Sequence, residues 1–198
     1  MVQPIGQRMD LDASTMSLYR HVRSKDELVV FMIDAAFASG LRLPDKRPRG
    51  WRRRLELSTR ALWALFRRRP WLAPVMSLTR PQLAPSALVY TDWVLQTLAP
   101  FRMDAGKLLH IHVMLFAYVR GLAMSLEPEA IAERDTGMDS DEWMQTQEGA
   151  LMELPGSSAF ADFMRQIDES GFELDLDTLF EFGLARILDG LAVMIRAR

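Results

Sequence analysis

From Asp104 to Leu126 the chain reads DAGKLLHIHVMLFAYVRGLAMSL, a stretch that is apolar on nearly every side. A helix without a polar face has nothing to turn toward water, so the stretch predicts a helix at the centre of a helical domain. Its length also suits a membrane span. However, His110, His112 and Arg120 lie inside it, and titratable groups are costly in hydrocarbon, which favours burial in protein. Such a helix needs several amphipathic helices to cover it.

The remainder of the chain can supply them. Trp51, Leu55, Leu62, Leu65 and Phe66 recur at helical spacing up to Arg69, where Pro70 ends the run. Pro74, Pro81 and Pro85 then leave room only for short helices before Ser86–Leu98. Glu127–Thr136 either extends the central helix or leads into a loop. Asp139 and Glu142 stand in capping-box spacing, Ser158–Ser170 is closed by Gly171, and Asp175 caps a final helix that runs to Arg196. That last helix carries Leu179, Phe182, Ile187, Leu191 and Met194 as its apolar face. No alternating run, internal repeat or low-complexity tract is present. An all-α fold is predicted.

Toward the N-terminus, Ser24 and Glu27 form another capping box, opening a helix over Asp26–Ser39 with Leu28, Phe31, Met32 and Ala35 on one stripe and Gly40 as its C′ residue. Leu43–Gly50, with Pro44 and Pro48, reads as a linker, so the chain divides into a head, residues 1–43, and a larger body, residues 44–198. Before Ser24 lies a helix of about two turns, Thr15–His21, too short to stand alone in water. Leu18 and Val22 can anchor it, leaving Thr15, Met16, Ser17, Tyr19 and Arg20 outward. Hydroxyls, a phenol and a guanidinium on one short helix suit phosphate oxygens and base edges of DNA.

Several classes of chemistry find no support. The absence of cysteine removes disulfides, thiolate catalysis and thiolate-bound zinc. His110 and His112 point to different sides of a helix and cannot chelate one metal together. No G-x-S-x-G, phosphate loop or H-E-x-x-H occurs, so neither catalytic residues nor a cofactor are expected, and the chain is not read as an enzyme. Met1–Asp12 has no signal-peptide pattern, which predicts a cytoplasmic protein. Net charge is −2, but ten basic residues against Glu56 crowd Lys46–Arg69, while Glu127–Glu181 holds sixteen acidic residues against Arg134 and Arg165. The expectation is a basic block near the DNA-facing end with the acidic block remote from it.

SLYRHVRSKDELV resembles the recognition helix and following helix start of the tetracycline-repressor (TetR) family, through Ser17, Leu18, Tyr19, His21, Val22, Lys25 and Leu28. FEFGLARILDGL, from Phe180 to Leu191, is similar to the family's last helix. The resemblance implies a helix-turn-helix head, here partial, followed by a helical-bundle domain for ligand binding and dimerisation. It also implies that the N-terminus is truncated, because Met1–Asp12 leaves no room for the family's first helix. By resemblance, Thr15, Met16 and Tyr19 approach base edges, and Ser17, Tyr19 and Lys25 hold phosphates; charge alone adds Arg20 and Arg23. The implied partners are a palindromic duplex DNA operator, a small-molecule effector of unknown identity and a second copy of the chain. Phe182, Gly183, Arg186 and Gly190 are assigned to the dimer interface. Trp63, Trp71, Met76, Trp93, His110, Met114 and Tyr118 are candidates for the effector's walls, since methionine and tryptophan build adaptable apolar cavities. No metal is implied. The tetracycline repressor has a magnesium-holding histidine before its Thr-Arg-Pro string, and Met76 stands in that place before Thr79, Arg80 and Pro81. The resulting expectation is a ligand-responsive repressor released by an apolar molecule. The alternative is a dimeric ligand-binding protein that lost DNA binding along with its first helix.

Overall fold

The computed structural model describes residues 22–152, 158–171 and 175–196. They form α1 (Lys25–Gly40), α2 (Trp51–Arg68), α3 (Leu72–Val75), α4 (Pro85–Leu98), α5 (Ala105–Ala123), α6 (Leu126–Thr136), α7 (Ser140–Met152), α8 (Ser158–Ser170) and α9 (Leu176–Arg196), with no strand among the described residues. The fold is all-α. Thr15, Met16, Ser17, Tyr19 and Arg20 lie outside the described residues.

Helix starts follow the local chemistry. Asp139 accepts from the backbone N–H of Glu142 at 2.9 Å, and the Glu142 carboxylate accepts from that of Asp139 at 3.0 Å, which completes a reciprocal capping box. At α1 the box is offset by one residue. Ser24 Oγ accepts from Glu27 N–H at 3.1 Å, but the Glu27 carboxylate reaches Arg23 N–H at 2.6 Å, not that of Ser24. Asp175 Oδ1 accepts from Asp177 and Thr178 at the head of α9. Gly40 is not the left-handed cap expected of it. It is the buried last residue of α1, and a Cβ there would come within 2.5 Å of Leu65 Cδ1. Its small size lets α2 approach.

Helix α2, not α5, occupies the centre. It buries Leu55, Ser58, Thr59, Leu62, Trp63, Leu65 and Phe66 and packs against α1, α4 and α5. Helix α5 buries a single stripe, Ile111, Leu115, Val119 and Ala123, while Leu109 and Met114 are exposed. One i, i+4 stripe suffices to pack it on the bundle, so its remaining apolar side stays uncovered within the chain. Ala105–Thr136 is long and apolar enough to cross a membrane, and within the chain α5 is held to the bundle by that one stripe. In α9 the buried set is Phe180, Leu184, Leu188 and Leu191, with Leu179 and Phe182 exposed. The buried stripe is thus rotated from the one the sequence suggests. Helix α1 behaves likewise: Ile33, Ala36 and Phe37 enter the body's core, whereas Phe31 is exposed.

The two charge blocks meet. Arg60 holds Glu181 through two bonds of 2.7 Å, Arg67 lies 3.3 Å from Asp177, and Arg52 bonds Asp189 at 2.8 Å. Arg68 and Arg69 donate to the Gly40 and Ala36 carbonyls. The basic block therefore ties α2 to α9 and α1, and two of the acidic residues expected to be remote, Asp177 and Glu181, are among its partners. Arg60 holds the Glu181 carboxyl below its ordinary value of 4.5. A depressed folded-state value means that the pair's contribution is complete above that pH and is lost as the pH falls through the folded value. Thermal unfolding from about pH 6 to about pH 3 should show a falling midpoint, with a shallower fall in Glu181→Gln; equal slopes would show that the pair is silent.

Candidate effector cavity

The segment between α3 and α4 is set by Gln82. Its amide donates to Val75 O at 3.0 Å and accepts from Ser77 N–H at 3.3 Å, while Ser77 Oγ accepts from Arg80 N–H at 3.0 Å. These bonds satisfy backbone groups in a stretch whose prolines prevent a continuous helix. Between this segment, α4, α5 and the end of α1 lies a cavity of about 220 Å³, with Phe37, Met76, Tyr90, Thr91, His112 and Phe116 among its walls.

Its lining is mostly apolar and carries a few aimed polar groups, as small-molecule sites do. His112 Nε2 lies 3.3 Å from Thr91 Oγ1, and Nδ1 is buried without a partner. Burial lowers the His112 pKa below its ordinary 6.5, so the ring is neutral at pH 7 and can offer one donor and one acceptor. The Tyr90 ring sits 5.5 Å from that of His112. Burial pushes the Tyr90 phenol well above its ordinary value, and the nearby Thr59 hydroxyl opposes the shift. Neither hydroxyl has a partner in good hydrogen-bond geometry. The site can hold an apolar body and hydrogen-bond a polar group on it.

Of the seven wall candidates, Met76 lines this cavity; the other six do not. Trp63 stacks on Phe180 at 5.1 Å and donates to Asp177. Trp93 donates to Arg54 O and lies under the Arg47 guanidinium. Trp71 is half-buried against the core. His110 and Met114 are exposed on α5. Tyr118 shares its hydroxyl proton between Leu179 O, 2.8 Å away, and Phe180 O, 3.0 Å away. Phe37, Tyr90, Thr91, His112 and Phe116 are among the walls that went unassigned. No local signal separates His112 from His110, since His110 stands at i, i+4 from Met114 just as His112 does from Phe116.

On α9, Gly183 is packed against Tyr118 of the same chain, so its small size serves an internal contact. Phe182 is exposed, with the Arg186 guanidinium 5.4 Å from its ring centre, and Gly190 has open space above it. Lys25 is exposed at the start of α1. No cluster of histidine and carboxylate groups suited to a metal ion occurs among the described residues.

Residues 43–195 match the family described as Tetracyclin repressor-like, C-terminal domain. The chain is 37% identical over 189 residues to the HTH-type transcriptional repressor DrrR1 of Streptomyces coeruleorubidus, spanning 96% of this chain and 69% of that protein. It is 32% identical over 111 residues to an HTH-type transcriptional regulator of Saccharopolyspora erythraea, spanning 56% of this chain and 46% of the relative. Among solved structures it resembles ActR of Streptomyces coelicolor in complex with actinorhodin, with a TM-score of 0.70 at 22% identity over 98% of this chain and 88% of that one. ActR in complex with (S)-DNPA gives a TM-score of 0.68 at 22% identity over 94% of this chain and 84% of that one. The domain match and the first of these relatives show that the chain belongs to the tetracycline-repressor family, proteins that regulate transcription and are not enzymes.

Proposed function

We propose that the chain is a cytoplasmic, ligand-responsive repressor that binds a palindromic operator as a homodimer and releases it when a small molecule with an apolar body enters the His112 cavity. The observation that carries this reading is Phe37. It lies on α1, the helix that directly follows the recognition segment, and it forms a wall of the cavity. Helix α1 also meets the first turn of α4, where Asp34 Oδ1 accepts from Ser86 N–H at 2.6 Å. A molecule that displaces α4 or the segment before it therefore acts on α1, and binding at one site can bias the other. Support for the effector comes from ActR, whose solved structures hold actinorhodin and (S)-DNPA.

In this reading Phe182, Arg186 and Gly190 on α9, with the uncovered side of α5, form the dimer contact. Two heads about 34 Å apart would then meet successive major grooves. Thr15, Met16, Ser17, Tyr19, Arg20 and Lys25 face the DNA. Fluorescence anisotropy on duplex DNA from the region upstream of the coding sequence tests this. Tyr19→Ala should abolish specific binding, and Lys25→Ala should weaken all sequences alike and reduce the salt slope by about 0.9. No sequence-specific binding by the parent chain would favour a dimeric ligand-binding protein without an operator.

A further inference from the structure

We propose that Arg120 anchors an acidic group on the effector, so that the molecule taken up is an amphipathic organic anion. Its apolar body occupies the His112 cavity, and its carboxylate, sulfonate or ionised phenol meets the Arg120 guanidinium. This inference rests on the reading of that cavity as the effector site.

His112, Phe116 and Arg120 stand at i, i+4 and i+8 on α5 and therefore form one stripe. The first two line the apolar cavity. Arg120 lines an adjoining open depression of about 470 Å³ formed by residues 74–79, and the two spaces share Met76, Ser77 and Leu78. Half-buried arginines elsewhere in the bundle are engaged: Arg52 and Arg60 hold carboxylates, and Arg54 and Arg69 hold carbonyls. The Arg120 guanidinium is different. Its Nε is shielded from solvent, and no described residue hydrogen-bonds or ion-pairs with it.

A shielded guanidinium N–H without a partner is unfavourable, and natural chains keep few such groups. The depression holds no carboxylate that would compete for it. The Ser77 hydroxyl, which already accepts from Arg80 N–H, retains its proton for donation to an incoming anion, and the Thr79 hydroxyl is on the same wall. The planar fork of Arg120 suits a planar or three-oxygen anion better than an ammonium does. An apolar cavity with an unpaired cation at its edge selects for a molecule with the complementary division.

Two fluorescent probes with the same ring system isolate the charge: anilinonaphthalene sulfonate and its neutral counterpart phenylnaphthylamine. Titrated into the full chain without DNA, the sulfonate should bind more tightly than the neutral probe. Arg120→Met should weaken the sulfonate about tenfold and leave phenylnaphthylamine within about twofold, which also reports that the variant is folded. Arg120→Lys should recover part of the sulfonate affinity, and Phe116→Ala should weaken both probes. Equal effects of Arg120→Met on the two probes, or none, would overturn the assignment to Arg120 while leaving the cavity intact. Binding of neither probe to the parent chain would overturn the cavity as a ligand site together with this inference. Neither result bears on operator binding, which the anisotropy measurement decides independently.

Discussion

Trp63→Ala is expected to destabilise the chain by about 3–5 kcal/mol, the range for deleting a large buried aromatic side chain. Trp63 is buried on α2, stacks on Phe180 with ring centres 5.1 Å apart and an interplanar angle of 9°, and donates its indole N–H to Asp177 at 2.6 Å. Its removal opens a cavity at the seam between α2 and α9. Trp63→Phe separates the two contributions. It keeps an aromatic face against Phe180 while losing the hydrogen bond and part of the ring's volume, and because the Asp177 carboxylate is 57% exposed, water can replace the lost donor. The expected cost is about 1 kcal/mol. Urea denaturation at fixed protein concentration compares the three chains. Similar losses for the two variants would mean that the bond, not the ring, carries the contact.

Gly183→Ala is expected to destabilise the fold by about 2 kcal/mol, although alanine in a helix interior is by itself favoured over glycine by about 1 kcal/mol. The opposing term comes from Tyr118. A Cβ at position 183 would fall 2.5 Å from Tyr118 Cζ and closer still to its hydroxyl oxygen. Tyr118 cannot simply withdraw, because its hydroxyl is held by the Leu179 and Phe180 carbonyls and its ring lies over Phe180 at 6.1 Å. Displacing it loses those bonds and forces repacking at the α5–α9 contact. In a Tyr118→Ala background the same Gly183→Ala change should turn stabilising by about 1 kcal/mol, because only helix propensity remains. If the change destabilises equally in both backgrounds, Tyr118 is not what requires glycine at 183.

Gly183 also shows where sequence reasoning stops. The resemblance assigned it to the dimer interface, and in the structure its small size admits a neighbouring side chain. The neighbour is Tyr118 of the same chain, far away in sequence, and not the second copy that the helix's resemblance implied. Gly40 repeats the lesson. Its place after a helical run suggested a left-handed cap, whereas the structure uses it to admit Leu65 of α2. The Lys46–Arg69 block, read as attraction for phosphate, holds Glu181, Asp177 and Asp189 through side chains that sequence distance had kept apart.

The sequence by itself determined the helix starts at Ser24, Asp139 and Asp175, the prolines that break the chain after Arg69, the all-α class and the family. Caps, breaks and period act over four residues or fewer, so they are written locally. Only the tertiary structure decided which stripe of each helix is buried, that α2 and not α5 lies at the centre, and that Phe37, His112 and Phe116 rather than the tryptophans wall the cavity. A helix apolar on most sides can present several stripes at nearly equal cost, and the choice among them is made by residues on other helices, whose approach no local pattern records.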